Sequence, residues 1–170
     1  SLLRAFALVV RRKPAHLVIL GEGGDRDKLQ DLANSLGISD RVHFLGYSPN
    51  PLAYMRGADV FVLSSIAEGF GNVIVEALAS GTPVISTDCP HGPSEILAGG
   101  RYGTLVRVGD DAQMAQAIIE TISSSKQPMP EDLDEHLKRF TIETIGERYL
   151  DCLGLESRPP KAASPQAVSA

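Results

Sequence analysis

Glu68 and Glu76 bracket a glycine pair in the run Glu68-Gly69-Phe70-Gly71-Asn72-Val73-Ile74-Val75-Glu76. Gly69 and Gly71 let backbone approach a ligand closely. The N–H groups that open the next helix, at Asn72 and Val73, have no partner inside that helix and can hold phosphate oxygens. An isolated Gly-x-Gly is equally a turn that joins strand to helix, so spacing alone leaves both readings open. Glu76 bears on the choice. It is the only charged residue from Gly69 through Thr87 and lies between Val73-Ile74-Val75 and Ala77-Leu78-Ala79. A helix this apolar is expected to be largely buried, and a carboxylate in it needs partners. Asn72, Glu76 and Ser80 recur at every fourth residue and form one polar stripe. Two hydroxyls of a ribose, each donating to the carboxylate, would satisfy the acid. An ion pair with an Arg or Lys is the alternative.

The elements around this run are those of a parallel sheet. Short apolar runs recur at His16 to Leu20, Val42 to Leu45, Asp59 to Leu63, Pro83 to Ser86 and Thr104 to Val108, each followed by a helix-like segment. Such βα repetition predicts an α/β fold, Rossmann-like, with helices on both faces of the sheet. Runs so short and uniformly apolar are expected to be buried on both faces. Leu29, Leu32, Ala33 and Leu36 fall on one helical face, and Gly37 follows where that helix would stop. Ser48-Pro49-Asn50-Pro51 opens a short helix that Gly57 closes, and Gly92-Pro93-Ser94-Glu95 opens another. Met114, Ala115, Ile118, Ile119 and Ile122 form an amphipathic stripe. One or two helices, interrupted near Phe140-Thr141, follow to about Leu153. The Glu68 to Gly71 loop thus follows a buried strand and precedes a helix, where doubly wound proteins place their ligands.

With these residues placed, a resemblance becomes specific. Glu68 to Glu76, followed by Ala77, Ala79, Gly81, Pro83 and Val84, resembles the Glu-seven-residues-Glu motif of family 4 retaining glycosyltransferases. Leu17 to Gly23, Val42 to Gly46, Gly92 to Leu97 and Gly103 to Val106 are similar to neighbouring strands and loops of the same family. The resemblance runs from about Leu2 to Glu120. It implies the C-terminal, nucleotide-sugar-binding half of a two-domain GT-B fold. A donor domain over 1–154 that lacks its first strand is expected, with a disordered tail at 155–170.

Carried over by position, the resemblance implies that Glu76 binds the ribose hydroxyls and that Glu68 contacts the donor sugar and places it for transfer. Backbone at Gly69, Phe70, Gly71, Asn72 and Val73 would hold the sugar and diphosphate. Gly21 and Gly23 would line the mouth of the cleft, and backbone near Leu45 to Tyr47 would meet the base. The donor is a nucleoside diphosphate sugar, used without cofactor or metal, and the transfer proceeds with retention. An acceptor glycan or lipid-linked sugar would bind an N-terminal domain outside this sequence. The family's Arg and Lys-Gly, which neutralise the leaving diphosphate, fall before Ser1, so the chain on its own is expected to bind donor poorly and to be inactive. A purely binding or interaction role is the alternative.

Other features narrow the function classes. Leu20-Gly21-Glu22-Gly23-Gly24-Asp25-Arg26 suggests a dinucleotide-binding turn, but Arg26 stands where the third glycine of that fingerprint belongs. A net charge of -5 and a pI near 5.3 argue against a nucleic-acid binder. Cys89 and Cys152 form neither a CxxC nor a zinc pattern, so a reducing, cytoplasmic setting is expected. No apolar run approaches the length of a membrane span, and the resemblance implies at most a peripheral place at the inner membrane face. His16, His43 and His136 are read as structural, with no pair at metal-ligand spacing, whereas His91 lies in a loop on the Glu68 side. Arg11, Arg12 and Lys13 are read as solvated surface charges. The start at Ser1, directly in a helical pattern, reads as a fragment of something longer.

Overall fold

The computed structural model describes residues 1–124 and 129–155. Within the span read from sequence as one domain, these fall into two compact units, Ser1–Leu133 and a second that opens at Asp134. The first unit contains α1 (Leu2–Val10), β1 (Leu17–Leu20), α2 (Arg26–Ser35), β2 (Val42–Gly46), α3 (Pro51–Gly57), β3 (Phe61–Leu63), α4 (Asn72–Ala79), β4 (Val84–Thr87), α5 (Pro93–Ile96), β5 (Thr104–Val106) and α6 (Asp111–Ser123). Two further helices follow, α7 (Leu133–Lys138) and α8 (Ile142–Leu153). The interruption expected at Phe140-Thr141 falls between them, and the Thr141 side chain caps α8 by accepting from the Thr144 N–H at 3.3 Å. The tail expected at 155–170 lies, apart from Leu155, outside the described residues.

Local signals explain several helix ends. Asn50 accepts from the Ala53 N–H at 3.3 Å with Pro51 in the first turn, and Asp110 accepts from the Gln113 N–H at 2.9 Å. Gly37 leaves α2 with a φ of 69°, a conformation that favours glycine. One core gathers Leu3, Phe6 and Val9 of α1, Ala33 of α2 and Met114, Ala115 and Ile118 of α6. Leu17, Ile19, Phe44, Val42, Val62 and Ile85 of the strands pack into it. Ile74, Ala77 and Leu78 of α4 and Ile96 of α5 are buried outside that cluster, so helices cover both faces of β4, through α6 and α4.

All strand pairs are parallel, but they form two sheets, β1-β2 and β3-β4-β5, where the sequence suggested one. The expectation of strands buried on both faces holds only for β4, whose four residues are all buried. In β1 and β2 the residues alternate. Leu17, Ile19, Val42 and Phe44 turn to the core, while Val18 and Leu45 remain 44% and 49% exposed. Helices cover a single face of this pair, which is why the alternation appears. Arg11, Arg12 and Lys13 are exposed at the end of α1, as expected.

Beyond the last strand, Asp132 accepts from the Tyr102 hydroxyl at 2.8 Å and pairs with the Arg101 guanidinium at 2.5 Å. The Tyr102 hydrogen bond, with the Arg101 charge as a lesser contribution, holds the Asp132 carboxyl below its ordinary pKa. A depressed carboxylate stabilises the fold above its unfolded-state pKa and loses that contribution as pH falls through the folded-state value. Asp132→Asn is therefore expected to lower the melting temperature at neutral pH, with the deficit shrinking toward zero in acid. A deficit that stays constant down the acid limb would contradict this origin.

Candidate functional site

Because the strands are parallel, the loops that leave them emerge at one edge of each sheet. The loops after β3 and β4 are tied together there. Buried Thr87, at the end of β4, donates its hydroxyl proton to the Ser65 carbonyl at 2.6 Å. The Ser65 hydroxyl donates in turn to Oε1 of Glu68 at 2.6 Å. The Glu68 N–H reaches the Pro90 carbonyl at 3.5 Å. Glu68 is half-buried, so the chain from Thr87 through Ser65 holds one carboxylate oxygen and thereby sets the direction of the whole group.

The closest approach lies beside it. Gly92 has a φ of 99°, and a Cβ added there would sit 1.6 Å from the Phe70 carbonyl oxygen. His91, exposed and adjacent, adopts a φ of 64°, which costs energy for a residue with a side chain. The β4 loop is thus wedged against the backbone of Phe70. Gly71, with a φ of 96°, then turns the chain into α4, whose start carries no side-chain cap. The N–H groups of Asn72 and Val73 are left to an external acceptor. Gly69 is exposed, with open space where a side chain would be.

Glu76 departs from expectation. Instead of a buried acid in a buried helix, it is exposed, as is Asn72, while Ile74, Ala77 and Leu78 bury the opposite side of α4. The apolar run misled because Val73, Val75 and Ala79 stay partly or fully exposed. The polar stripe is present and faces outward. Among the described residues the ion pairs join Lys28 to Asp25, Arg41 to Asp40, Arg101 to Asp132 and Lys138 to Glu135, so the ion-pair alternative for Glu76 finds no partner.

Gly21 and Gly23 lie exposed in the loop after β1, on the smaller sheet. Gly21 has a φ of 114° and its N–H donates to the Gly46 carbonyl at 2.7 Å, closing the end of β1 on the end of β2. Arg26, read from sequence only as the break in a dinucleotide fingerprint, donates to the Phe44 carbonyl at 2.9 Å and so fastens α2 to the end of β2. Among the described residues no hydrogen bond joins this loop to the Glu68 loop. Leu45 and Tyr47 are exposed at the same strand end.

The remaining candidates sort away from this edge. His16 Nδ1 and His43 Nε2 lie 2.9 Å apart with stacked rings, a pairing across β1 and β2 that sequence separation concealed. No group of three or more potential metal ligands occurs among the described residues. Cys89 is buried. A cavity of about 410 Å³ opens beside Asp59, Pro83 and Gly103, at the amino ends of β3, β4 and β5, opposite the Glu68 loop. Ser65, Thr87 and Gly92 are the positioning residues that sequence reasoning passed over. Gly92→Ala is expected to cost about 3 kcal/mol or more of stability, because the added Cβ would overlap the Phe70 carbonyl and the φ is left-handed. Gly69→Ala, in open space at an ordinary φ, is expected to cost under about 1 kcal/mol. Urea unfolding of the two variants checks the contrast.

A family model for glycosyl transferases group 1 matches residues 1–140. The chain is 38% identical over 148 residues to the lipopolysaccharide core biosynthesis glycosyltransferase LpsE of Rhizobium meliloti, covering 85% of this chain and 43% of that protein. It is 31% identical over 149 residues to N-acetyl-alpha-D-glucosaminyl L-malate synthase of Bacillus anthracis, covering 88% and 37%. Among solved structures, Anabaena HepE in complex with UDP aligns with a TM-score of 0.76 at 27% identity, over 90% of this chain and 44% of that one. A TarM variant of S. aureus in complex with fondaparinux, alpha-GlcNAc-glycerol and UDP aligns with a TM-score of 0.81 at 25% identity, over 88% and 31%. The chain thus spans less than half the length of these relatives, and among its described residues no helix is long and apolar enough to cross a membrane. It belongs to the glycosyl transferases group 1 family.

Proposed function

We propose that this chain is the donor-binding half of a family 4-type retaining glycosyltransferase. The observation that carries the reading is the Ser65-held Glu68 carboxylate beside the uncapped start of α4, with Glu76 presented on the same helix. A nucleoside diphosphate sugar matches that layout. Its diphosphate takes the N–H groups that open α4, at Asn72 and Val73, beside the backbone of Phe70 and Gly71, its ribose hydroxyls donate to Glu76, and its sugar meets Glu68. Gly21 and Gly23 line the mouth of the cleft. Two solved relatives hold UDP, which makes a uridine nucleotide the first donor to try.

In the transfer, the bond from the anomeric carbon to the diphosphate oxygen breaks and a bond to the acceptor oxygen forms, releasing nucleoside diphosphate and a proton. Positive charge on the sugar ring and negative charge on the departing diphosphate both grow at the transition state. Stabilising them is a matter of placement and electrostatics, for which the held Glu68 carboxylate and the α4 start are suited. Without metal, the diphosphate charge would be met by an Arg and a Lys supplied before Ser1. The acceptor, a glycan or lipid-linked sugar, would sit on a further domain. The chain's span of less than half its relatives favours a second reading for these residues taken alone, a nucleotide-sugar-binding module without turnover.

Calorimetry with UDP separates the roles. Glu76→Ala is expected to weaken binding by about 1.5 to 3 kcal/mol, the loss of a charged hydrogen-bond acceptor. Unchanged affinity would remove the ribose assignment. In the full-length enzyme, Glu68→Gln is expected to lower turnover more than donor affinity, and an equal loss in both would reduce Glu68 to a binding group.

A further inference from the structure

We infer that His91 is a further donor-contacting residue, whose imidazole hydrogen-bonds the sugar beside Glu68 and discriminates between sugars. The inference rests on the donor reading proposed for Glu68. It starts from backbone strain. Among the described residues two that are not glycine adopt a positive φ, His91 at 64° and Ala98 at 47°. Ala98 sits in a short turn with Gly99 and Gly100, and its methyl group carries no chemistry. His91 is different. Its loop is anchored on both sides, by buried Cys89 and Pro93, by the Pro90 carbonyl that accepts from the Glu68 N–H at 3.5 Å, and by Gly92 against the Phe70 carbonyl. Anchors this close fix the backbone of residue 91, and a glycine there would carry no strain. The sequence places an imidazole there instead. That ring is exposed and has no hydrogen bond, ion pair or ring contact to any described residue. A side chain that strains its loop and bonds to nothing in the protein points to a ligand.

The position fits the part of the donor that Glu68 meets. Both neighbours of His91 touch the backbone between Glu68 and Phe70. Consecutive Cα atoms are about 3.8 Å apart, so the imidazole is rooted one residue from each of those contacts. The two side chains are also chemically complementary. Ionised Glu68 only accepts hydrogen bonds, and its Oε1 already accepts from the Ser65 hydroxyl. A sugar hydroxyl that donates to the carboxylate still has lone pairs to satisfy, and it needs a donor for them. Neutral imidazole supplies one N–H donor and one ring-nitrogen acceptor on a flat, rigid group. Which hydroxyls it meets depends on their axial or equatorial placement, and a site built to hydrogen-bond a hydroxyl rejects a sugar that holds it elsewhere. The N–H groups at the start of α4, in contrast, take any diphosphate alike. His91 therefore acts on sugar affinity and choice and leaves the nucleotide contacts alone.

The test titrates the wild-type chain, His91→Gly and His91→Ala by NMR with UDP, UDP-glucose, UDP-galactose and UDP-N-acetylglucosamine, and follows thermal unfolding of all three proteins. His91→Gly removes both ring and strain, whereas His91→Ala removes the ring and keeps the strain. Both variants are expected to bind UDP as the wild type does. Toward the UDP-sugar that the wild type holds most tightly, both are expected to bind about three- to tenfold more weakly, the loss of one hydrogen bond, with the ranking among the sugars flattened. The melting temperature is expected to rise for His91→Gly and not for His91→Ala. Weakening in the glycine variant alone would trace the loss to a looser loop and overturn the inference. Equal weakening toward UDP and UDP-sugar, no change toward either, or a glycine variant no more stable than the wild type overturns it as well. A wild-type chain that holds UDP but none of the UDP-sugars overturns this inference alone, and one that holds none of these ligands overturns the donor reading with it.

Discussion

The backbone of Phe70 lies against Gly92 with no room for a side chain between them, and the arrangement of the site depends on that contact. It joins the loop after β3 to the loop after β4, so two strands of one sheet position a single stretch of backbone. Ser65 and Thr87 add hydrogen bonds to the same junction. Glu68 is consequently aimed by the sheet itself and not by a free loop. The left-handed φ at His91 is strain that the junction maintains, whereas Gly92 adopts its φ freely because it has no side chain.

Much of this fold was legible in the sequence because its signals are local. Asn50-Pro51, Gly37 and Thr141 mark helix ends by capping and φ preference, and the Leu29 to Leu36 stripe marks the buried side of α2. What was not legible depends on partners distant in the chain. Val18 and Leu45 looked buried because apolar runs carry no record of how many helices will cover them. His16 and His43 meet only through strand register. Gly92 read as a helix start, which it is, but its close neighbour Phe70 could be known only from the packing of two loops.

Glu76 shows how a sound premise led to a wrong environment. The helix around it is apolar, yet only three of its residues are buried, and the acid faces outward. An outward carboxylate is a better partner for ligand hydroxyls than a buried one, because it needs no protein cation to compensate its burial. The same structure that removes the ion-pair alternative thus keeps the ligand reading open. The divided sheet ties the smaller sheet, with Gly21 and Gly23, to the larger one only through helices and core.

The junction around Phe70 and the start of α4 are the proposed nucleoside diphosphate site. Titrating the isotope-labelled chain with UDP and, separately, with NAD tests it most directly. UDP is expected to move the amide resonances from Glu68 to Glu76 in a saturable way while NAD leaves them in place. A response confined to NAD, or UDP shifts that leave these amides untouched at saturation, would contradict it.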